Sequence, residues 1–476
     1  MRLPANVNGR GTAAASSGRS GRGQHLKLKA AAEQQRTGFS SMSFPTTKRD
    51  VLMAASGPVF ELWNYCPYLA CGERTNAEES SHFCGQCGGV FNVCPHCRAT
   101  NRLLAGFCRG CGRELETEVW PMEAGLRANS LQLNSIRALG ELRPPFPLNL
   151  GADIEVSPIA TVGLVFIVQS SGSILLLSEY TGNQIGHLPI LNQIAVTPAF
   201  HAGTLFVAAG NRLSAFELAD FLDQPVLQPP GPVWAFECVG EAITKPLLID
   251  ERAVYLLSRI GQQAVLESVL QRGGERLWPT PFRLDTHQVI SPVLVRDQIV
   301  LITLAGQVSV LGAAGGELQQ NFSLNRRIDP QVSPFVLDNR IFLADPSGYV
   351  FELVLDKSGP LINLLYDHRA RISSIAASPH FIALGHMAGL TLLSARGNLL
   401  WSSDTLESVS STPIVAGESV FALDDTGNGL LFDTLKSNPV ARVKLLAGEV
   451  GLSPLLTQSH IVVLGGDGKV AVIDWH

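Results

Sequence analysis

Charge is scarce in this chain: Asp, Glu, Lys and Arg make up 16% of its 476 residues, and the mean hydropathy is +0.18. A body of that composition is not intrinsically disordered, because a disordered chain needs high charge and low hydrophobicity to stay open. Methionine (5) and tryptophan (6) are few while glycine (45) is plentiful, a balance that suits short strands joined by tight turns. No apolar run reaches the length of a membrane helix. The most apolar stretch, Ile299 to Gly315, is broken by Thr303, Gln307 and Ser309 and reads as two buried strands around a turn. The N-terminus lacks the apolar core of a secretory signal, so export by that route is not expected. No Walker A, nucleophile-elbow or metalloprotease pattern occurs.

The net charge of -5 is unevenly distributed. Residues 1–50 carry +7, residues 51–120 carry -2, and the remainder is about -10. An acidic body of that kind does not attract nucleic acid through its overall field, so a nucleic-acid role would have to come from the tail or from the segment that follows it. Residues 1–60 are rich in Gly, Ser, Ala and Arg without a hydrophobic period, and read as a disordered basic tail. Three explanations compete for it: a transit peptide, a basic arm, or translation that starts at Met42 or Met53. The reading adopted is a dispensable tail.

Eight of the nine cysteines fall between residues 66 and 111, as Cys66-x4-Cys71, Cys84-x2-Cys87, Cys94-x2-Cys97 and Cys108-x2-Cys111. A Cys-x2-Cys turn brings two thiolates to one ion, and two such turns complete a closed tetrahedron. The natural grouping is therefore two structural zinc sites, Cys66/Cys71/Cys84/Cys87 and Cys94/Cys97/Cys108/Cys111. Four thiolates leave no position open for water or substrate, which argues against a catalytic ion. Clustered thiols without an export signal also point to a reducing compartment, and hence to a cytoplasmic protein. The flanking residues, as in Phe83-Cys84-Gly85-Gln86-Cys87-Gly88, Cys94-Pro95-His96-Cys97 and Phe107-Cys108-Arg109-Gly110-Cys111-Gly112, resemble the double zinc ribbon family. That resemblance implies that Phe83 and Phe107 each cover an ion on its apolar side. Two departures stand out: the first knuckle holds the extra residues Leu69 and Ala70, and Arg98 stands where glycine is usual. His82 and His96 read as exposed knuckle residues, and Cys238 as a small core residue.

After a bridge at 118–145, in which residues 128–139 fit a short helix or a strand equally well, the chain repeats itself. Marks at Ser157, Thr197, Lys245, Ser291, Ser333, Ser374, Thr412 and Ser453 are followed by Gly172, Gly210, Gly261, Gly306, Gly348, Gly389, Gly427 and Gly468. Each unit of about 42 residues holds four short strands, the size of one propeller blade. The glycine is expected at a two-residue hairpin, where positive φ is required. The last unit has room for three strands, and Pro144 to Leu150 is expected to supply the fourth and close an eight-bladed ring. Asn398-Leu-Leu-Trp401 and Glu275-Arg-Leu-Trp278 strengthen a resemblance to the β-propeller repeats named for pyrroloquinoline quinone enzymes.

The expected architecture is therefore all-β: a basic tail (1–60), a double zinc ribbon (61–117), a linker (118–145) and an eight-bladed propeller (146–476). The propeller resemblance transfers architecture more securely than activity. A quinone dehydrogenase would need a calcium site and a catalytic base, but Asp338, Asp345, Asp424, Asp425 and Asp467 fall in turns, where Asp caps backbone amides, and no adjacent cysteine pair occurs. His380 and His386 flank one strand and read as surface or turn residues. The functional expectation is a non-enzymatic, zinc-binding scaffold that binds a protein or peptide partner. The first alternative is an RNA- or DNA-binding protein that uses Arg98, Arg102, Arg109 and Arg113 of the ribbons; the second is a quinone-dependent oxidoreductase.

Overall fold

The computed structural model describes residues 65–68, 71, 82, 84, 86, 89–120, 146–151, 153–190, 192–218, 222, 229–356, 359–405, 407–447, 452–457 and 460–474. The expected tail, residues 121–145, Phe83 and Cys87 lie outside these residues. The named elements are all β-strands. Eight antiparallel sheets follow one another from residue 159 onward and form an eight-bladed propeller.

The blades pack face to face, and this explains their sequence pattern. Their middle strands are covered on both sides and read as near-continuous apolar runs, as in Leu164–Gln169, buried throughout. Outer strands alternate, as in Pro439–Lys444, because only one face is covered. The core lies between blades rather than within them. Phe166 and Ile174 of blade 1 pack with Phe200 and Leu205 of blade 2. The ring is completed where Ala160, Val165 and Ile167 of blade 1 meet Leu455, Val462 and Leu464 of blade 8. Each fully buried aliphatic side chain contributes about 1.5–3 kcal/mol.

Closure is by strand exchange. Phe146–Asn149 pairs with Lys469–Asp474 as the fourth strand of blade 8, with Asn149 opposite Lys469 and Leu148 opposite Val470. Phe146–Asn149 precedes blade 1 in sequence but completes blade 8, so the two ends of the array are tied together. Tryptophans fasten blade to blade elsewhere. The indole N–H of Trp234 donates to Gln271 O (2.8 Å), that of Trp278 to Ala313 O (2.9 Å) and that of Trp401 to Thr434 O (2.9 Å), each on the next blade.

All eight register glycines have positive φ, from 54° at Gly261 to 122° at Gly389. The hairpins differ from the two-residue expectation. Only blades 2, 3 and 6 have two-residue turns, bounded by Ala209 and Arg212, Ile260 and Gln263, and His386 and Gly389. In blades 1, 4, 5, 7 and 8 three residues intervene, with glycine third in the left-handed region, the geometry that accompanies a type I turn and bulge. A glycine at positive φ accompanies both kinds, within the turn in blades 2 and 3 and just after it in blade 6, so the glycine alone did not distinguish them. A second constraint acts at Gly306 and Gly348, where a Cβ would fall 2.0 Å from Arg326 O and 2.1 Å from Ala370 O of the crossing loop. Asp345 and Asp424 cap these turns as expected: Asp345 Oδ1 accepts the amides of Ser347 and Tyr349, and Asp424 Oδ1 those of Thr426 and Asn428.

Two features depart from the repeat. Blade 3 has a split inner strand, Ala242–Ile243 and Leu248–Ile249, both paired to Ala253–Ile260. In blade 1, Glu118–Trp120 pairs outside Ile159–Thr161 as a fifth strand. The chain leaving the cysteine segment therefore adds a strand beyond Ile159–Thr161, at the edge of blade 1 opposite Gln184–Pro189.

Candidate metal centre

Two short strands, Phe91–Val93 and Thr100–Arg102, form a hairpin that carries the second cysteine group. Each knuckle is closed by the same backbone bonds. Cys94 N–H donates to Ala99 O and Cys108 N–H to Arg113 O, while Arg98 N–H and Gly112 N–H return to Cys94 O and Cys108 O. The return requires a left-handed residue at the end of the turn. Gly112 supplies it at φ 69°, and Arg98, the departure noted in the sequence, adopts it at φ 57°. A third turn is closed alike, with Cys84 N–H donating to Gly89 O at 2.8 Å.

These turns bring Cys94, Cys97, Cys108 and Cys111 together, with all four sulfurs within 4.8 Å of one another. Cys94 Sγ lies 3.7 Å from Cys111 Sγ, and Cys97 Sγ lies 3.5 Å from Cys108 Sγ. A tetrahedron with metal–sulfur bonds of about 2.3 Å has edges of about 3.8 Å, so the donor set fits one closed tetrahedral ion. The sulfurs are separate, since a disulfide would hold them at about 2.05 Å. Cys66, Cys71 and Cys84 form a second group on the same limit, with Cys71 Sγ 3.6 Å from Cys84 Sγ. The fourth expected ligand, Cys87, lies outside the described residues.

The thiols do not ionise alike. Burial pushes Cys97 up to about 12. Cys108 is also raised by burial, but the backbone amides around it, including Gly110 N–H at 3.3 Å, draw it down to about 6. Fixed donors aimed at a sulfur stabilise thiolate, the form a metal binds.

The apolar cover differs from what the ribbon resemblance implied. Phe107 is 69% exposed and covers nothing. It pairs with Glu114 in an isolated bridge, and in extended chain Cys108 turning inward sends its neighbour outward. The second group is enclosed instead by Ala99 and Leu115, and the first by Phe91 with Tyr68. Of the arginines considered for nucleic acid, Arg109 donates to Tyr65 O and Thr100 Oγ1, and Arg102 Nε to Pro67 O, so both tie the two halves of the segment together.

The module is seated on the propeller. Val90 and Leu103 belong to the apolar cluster shared by blades 1 and 2, and a Cβ on Gly163 would fall 2.5 Å from Leu103 Cδ1. His82 is half-buried rather than exposed as expected, with its ring stacked on Tyr180. Burial holds His82 below its ordinary value while the Glu179 carboxylate pulls the other way. His460 of blade 8 sits 2.9 Å from Asp474 and 3.6 Å from Glu179. His96 is exposed, as expected, and bonds Arg113. Cys238 is buried in the core between blades 2 and 3. His386, expected at the surface, is buried and packs on His368 with ring centroids 4.2 Å apart.

No family model and no curated protein matches the chain. Solved structures do. BamB from Moraxella catarrhalis is 14% identical with TM-score 0.54, covering 70% of this chain and 99% of its own. Sqt1 of Saccharomyces cerevisiae is 13% identical with TM-score 0.55, covering 71% of this chain and 99% of its own. The quinohemoprotein alcohol dehydrogenase of Comamonas testosteroni is 12% identical with TM-score 0.53, covering 75% of this chain and 80% of its own. At these identities the likeness establishes the propeller fold and leaves activity open.

Proposed function

We propose that the chain is a non-enzymatic scaffold in which a zinc-stabilised double ribbon, residues 61–117, is fixed to an eight-bladed propeller, residues 146–476, and the two together present surfaces to a protein partner in the cytoplasm. The observation that carries this reading is the closed four-sulfur geometry of Cys94, Cys97, Cys108 and Cys111, which offers an ion a structural seat and no open coordination position. Zinc is the ion that soft tetrahedral thiolates favour, with Cys66, Cys71, Cys84 and Cys87 holding the second. The turn acids support the absence of catalysis: Asp345 and Asp424 already serve backbone amides.

The test is affinity capture with the full-length protein from native extract, with partners identified by mass spectrometry, alongside an assay for quinone absorbance and alcohol-dependent dye reduction. A protein partner retained at moderate salt supports the scaffold. Quinone-dependent turnover would overturn it.

Nucleic-acid binding through the ribbons is a second reading, favoured by Phe107, which leaves an aromatic face open for stacking beside exposed Arg98 and Arg113. Binding to mixed RNA or DNA that falls steeply with salt and is lost in Phe107→Ala would establish it.

A further inference from the structure

Three segments converge on the propeller face opposite the ribbons. Within a blade the strands alternate in direction, so the turns after the second strand share a face with the loops that cross to the next blade. The ribbons contact the other face, at Gly163 and Tyr180. On the opposite face the blade 5 turn Asp345–Tyr349 is flanked by two crossing loops. On one side Arg326 reaches Asp345 (3.4 Å) and lies over the Tyr349 ring (5.0 Å). On the other side His368 N–H donates to Gly348 O at 3.0 Å. Arg371 then reaches back beneath the turn to Asp329, with Nε–Oδ2 and Nη2–Oδ1 both 2.6 Å, while Asp329 N–H donates to Ala344 O.

Four arginines, Arg326, Arg327, Arg369 and Arg371, are thereby gathered around one turn. The nearby acids lie mostly below them. The Asp329 side chain is fully buried and that of Asp345 is 10% exposed, whereas Arg369 is 88% exposed. Burial alone would raise the Asp329 carboxyl, but the Arg371 guanidinium and Gln331 N–H hold it below the usual range, so it stays a fixed anion under the cluster. The paired acids anchor Arg326 and Arg371; Arg369 Nε lies 3.9 Å from Asp367, whose side chain is 38% exposed, so the outward charge falls to Arg327 and to the solvent-facing end of the Arg369 guanidinium. Beyond residue 120 the chain has only 22 Lys and Arg against 32 Asp and Glu, so a gathering of four arginines runs against its composition.

We propose that this face of blades 4–6 is a docking site for an extended acidic peptide segment of the partner, with Arg327 and Arg369 as the carboxylate-binding residues. The proposal rests on the scaffold reading and gives its partner surface a chemistry. Guanidinium groups favour carboxylates because their planar donor fork matches them in pairs, and holding two of the four in place lowers the ordering cost on binding. A peptide fits better than nucleic acid because exposed carboxylates bound the site on both sides: Asp285 on the loop before blade 4, and Asp404 and Glu407 on the loop after blade 6. A long polyanion would have to cross them, whereas a short acidic segment need not.

The test uses the full-length protein and a double charge reversal at the two exposed positions, Arg327→Glu with Arg369→Glu, which spares the anchored pair. Binding of a dye-labelled peptide of alternating Glu and Leu is read by fluorescence anisotropy, beside a Lys-Leu peptide and a single-stranded oligonucleotide. The basic segment 1–50 is common to both proteins, so the comparison reads the loops alone. The expected result is saturable binding of the acidic peptide, weakened at least tenfold by the double reversal and by raising salt from 50 to about 300 mM, with unchanged thermal unfolding. Equal binding by both proteins, no binding, or tighter binding of the oligonucleotide at the loops overturns the site. A cellular partner retained equally by both proteins would also overturn it while leaving the scaffold reading intact.

Discussion

The imidazole of His82 lies flat on the phenol of Tyr180, with ring centroids 4.2 Å apart and planes 10° from parallel. His460 approaches the same phenol edge-on at 6.2 Å. One residue from the cysteine segment thus stacks on a blade 1 side chain that itself meets blade 8, where the ring closes. Beneath them the Glu179 carboxylate accepts the Gly163 amide at 2.9 Å. The junction is polar at its centre and apolar at its edge, where Val90 and Leu103 are buried.

Removing that stack should loosen the cysteine segment without emptying its proposed metal sites. Tyr180→Ala forfeits the aromatic contact and part of a buried surface, a loss of about 2–4 kcal/mol. The expected outcome is faster tryptic cleavage after Arg98 and Arg102 at unchanged metal content. Gly163→Val should do the same by a different route, since its side chain would enter the space of Leu103 and its φ is +80°. Cleavage no faster than in wild type for either variant would show that the seat contributes nothing.

Chelation tests the coupling in the other direction. A segment this small has little core of its own, and binding of roughly 10–16 kcal/mol per structural zinc is folding free energy for such modules. If the proposed zinc is bound, stripping it should raise hydrogen exchange over 89–115 and also at Gly163–Leu164 and Glu179–Thr181, the turns that the cysteine segment contacts. Blades 3 to 7 should keep their protection. An unchanged rate at Gly163 would mean that the module is not seated there in solution.

Arg98 pays a backbone penalty that its counterpart Gly112 does not, because a side chain at φ 57° costs about 1–2 kcal/mol in the left-handed region. Arg98→Gly should therefore tighten zinc retention against a competing chelator by up to about tenfold. A looser site would indicate that the Arg98 side chain contributes more than its backbone costs.

His386 supplies a pH dependence. Its Nδ1 accepts the Ala388 amide at 3.2 Å, which places the proton on Nε2, and Nε2 then donates to Thr391 Oγ1 at 3.0 Å. Burial, reinforced by His368, pushes its pKa down to about 4. Because the folded value lies below the unfolded value of about 6.5, the unfolded state binds the extra proton first. Stability is unaffected above pH 6.5 and is lost as pH falls from 6.5 toward 4, by about 3 kcal/mol in all. Carboxylates titrate in part of the same window, so the reading is a difference: His386→Gln should lose about that much less than wild type between pH 7 and pH 4 in urea unfolding. Parallel losses in the two proteins would sink the assignment.

The ring was legible because its determinants are local and repeated. A strand mark, followed by proline in seven of eight units, and a glycine about fourteen residues on recur eight times, and the missing strand of blade 8 left a countable gap that Phe146–Asn149 fills. The second cysteine group was legible for the same reason, as spacing alone brings its four sulfurs within reach. Phe107 was misread because the ribbon resemblance implied a cover, while the alternation that turns it outward depends on which way Cys108 points. The seat of the cysteine segment carried no local signal. His82 and Tyr180 are 98 positions apart, and neither residue differs in type from a surface neighbour until the fold brings them together. The entry of Glu118–Trp120 into blade 1 was equally hidden, since a short pairing at an inner edge leaves no period to read.

The most direct test of the central claim is elemental analysis of the purified, untreated full-length protein together with a thiol titration under denaturing conditions. Two zinc ions per chain, with all nine cysteines reactive, is the expected result, and Cys94→Ser should reduce the content to one. Markedly less than two zinc ions, with the clustered thiols oxidised in pairs, would contradict the account.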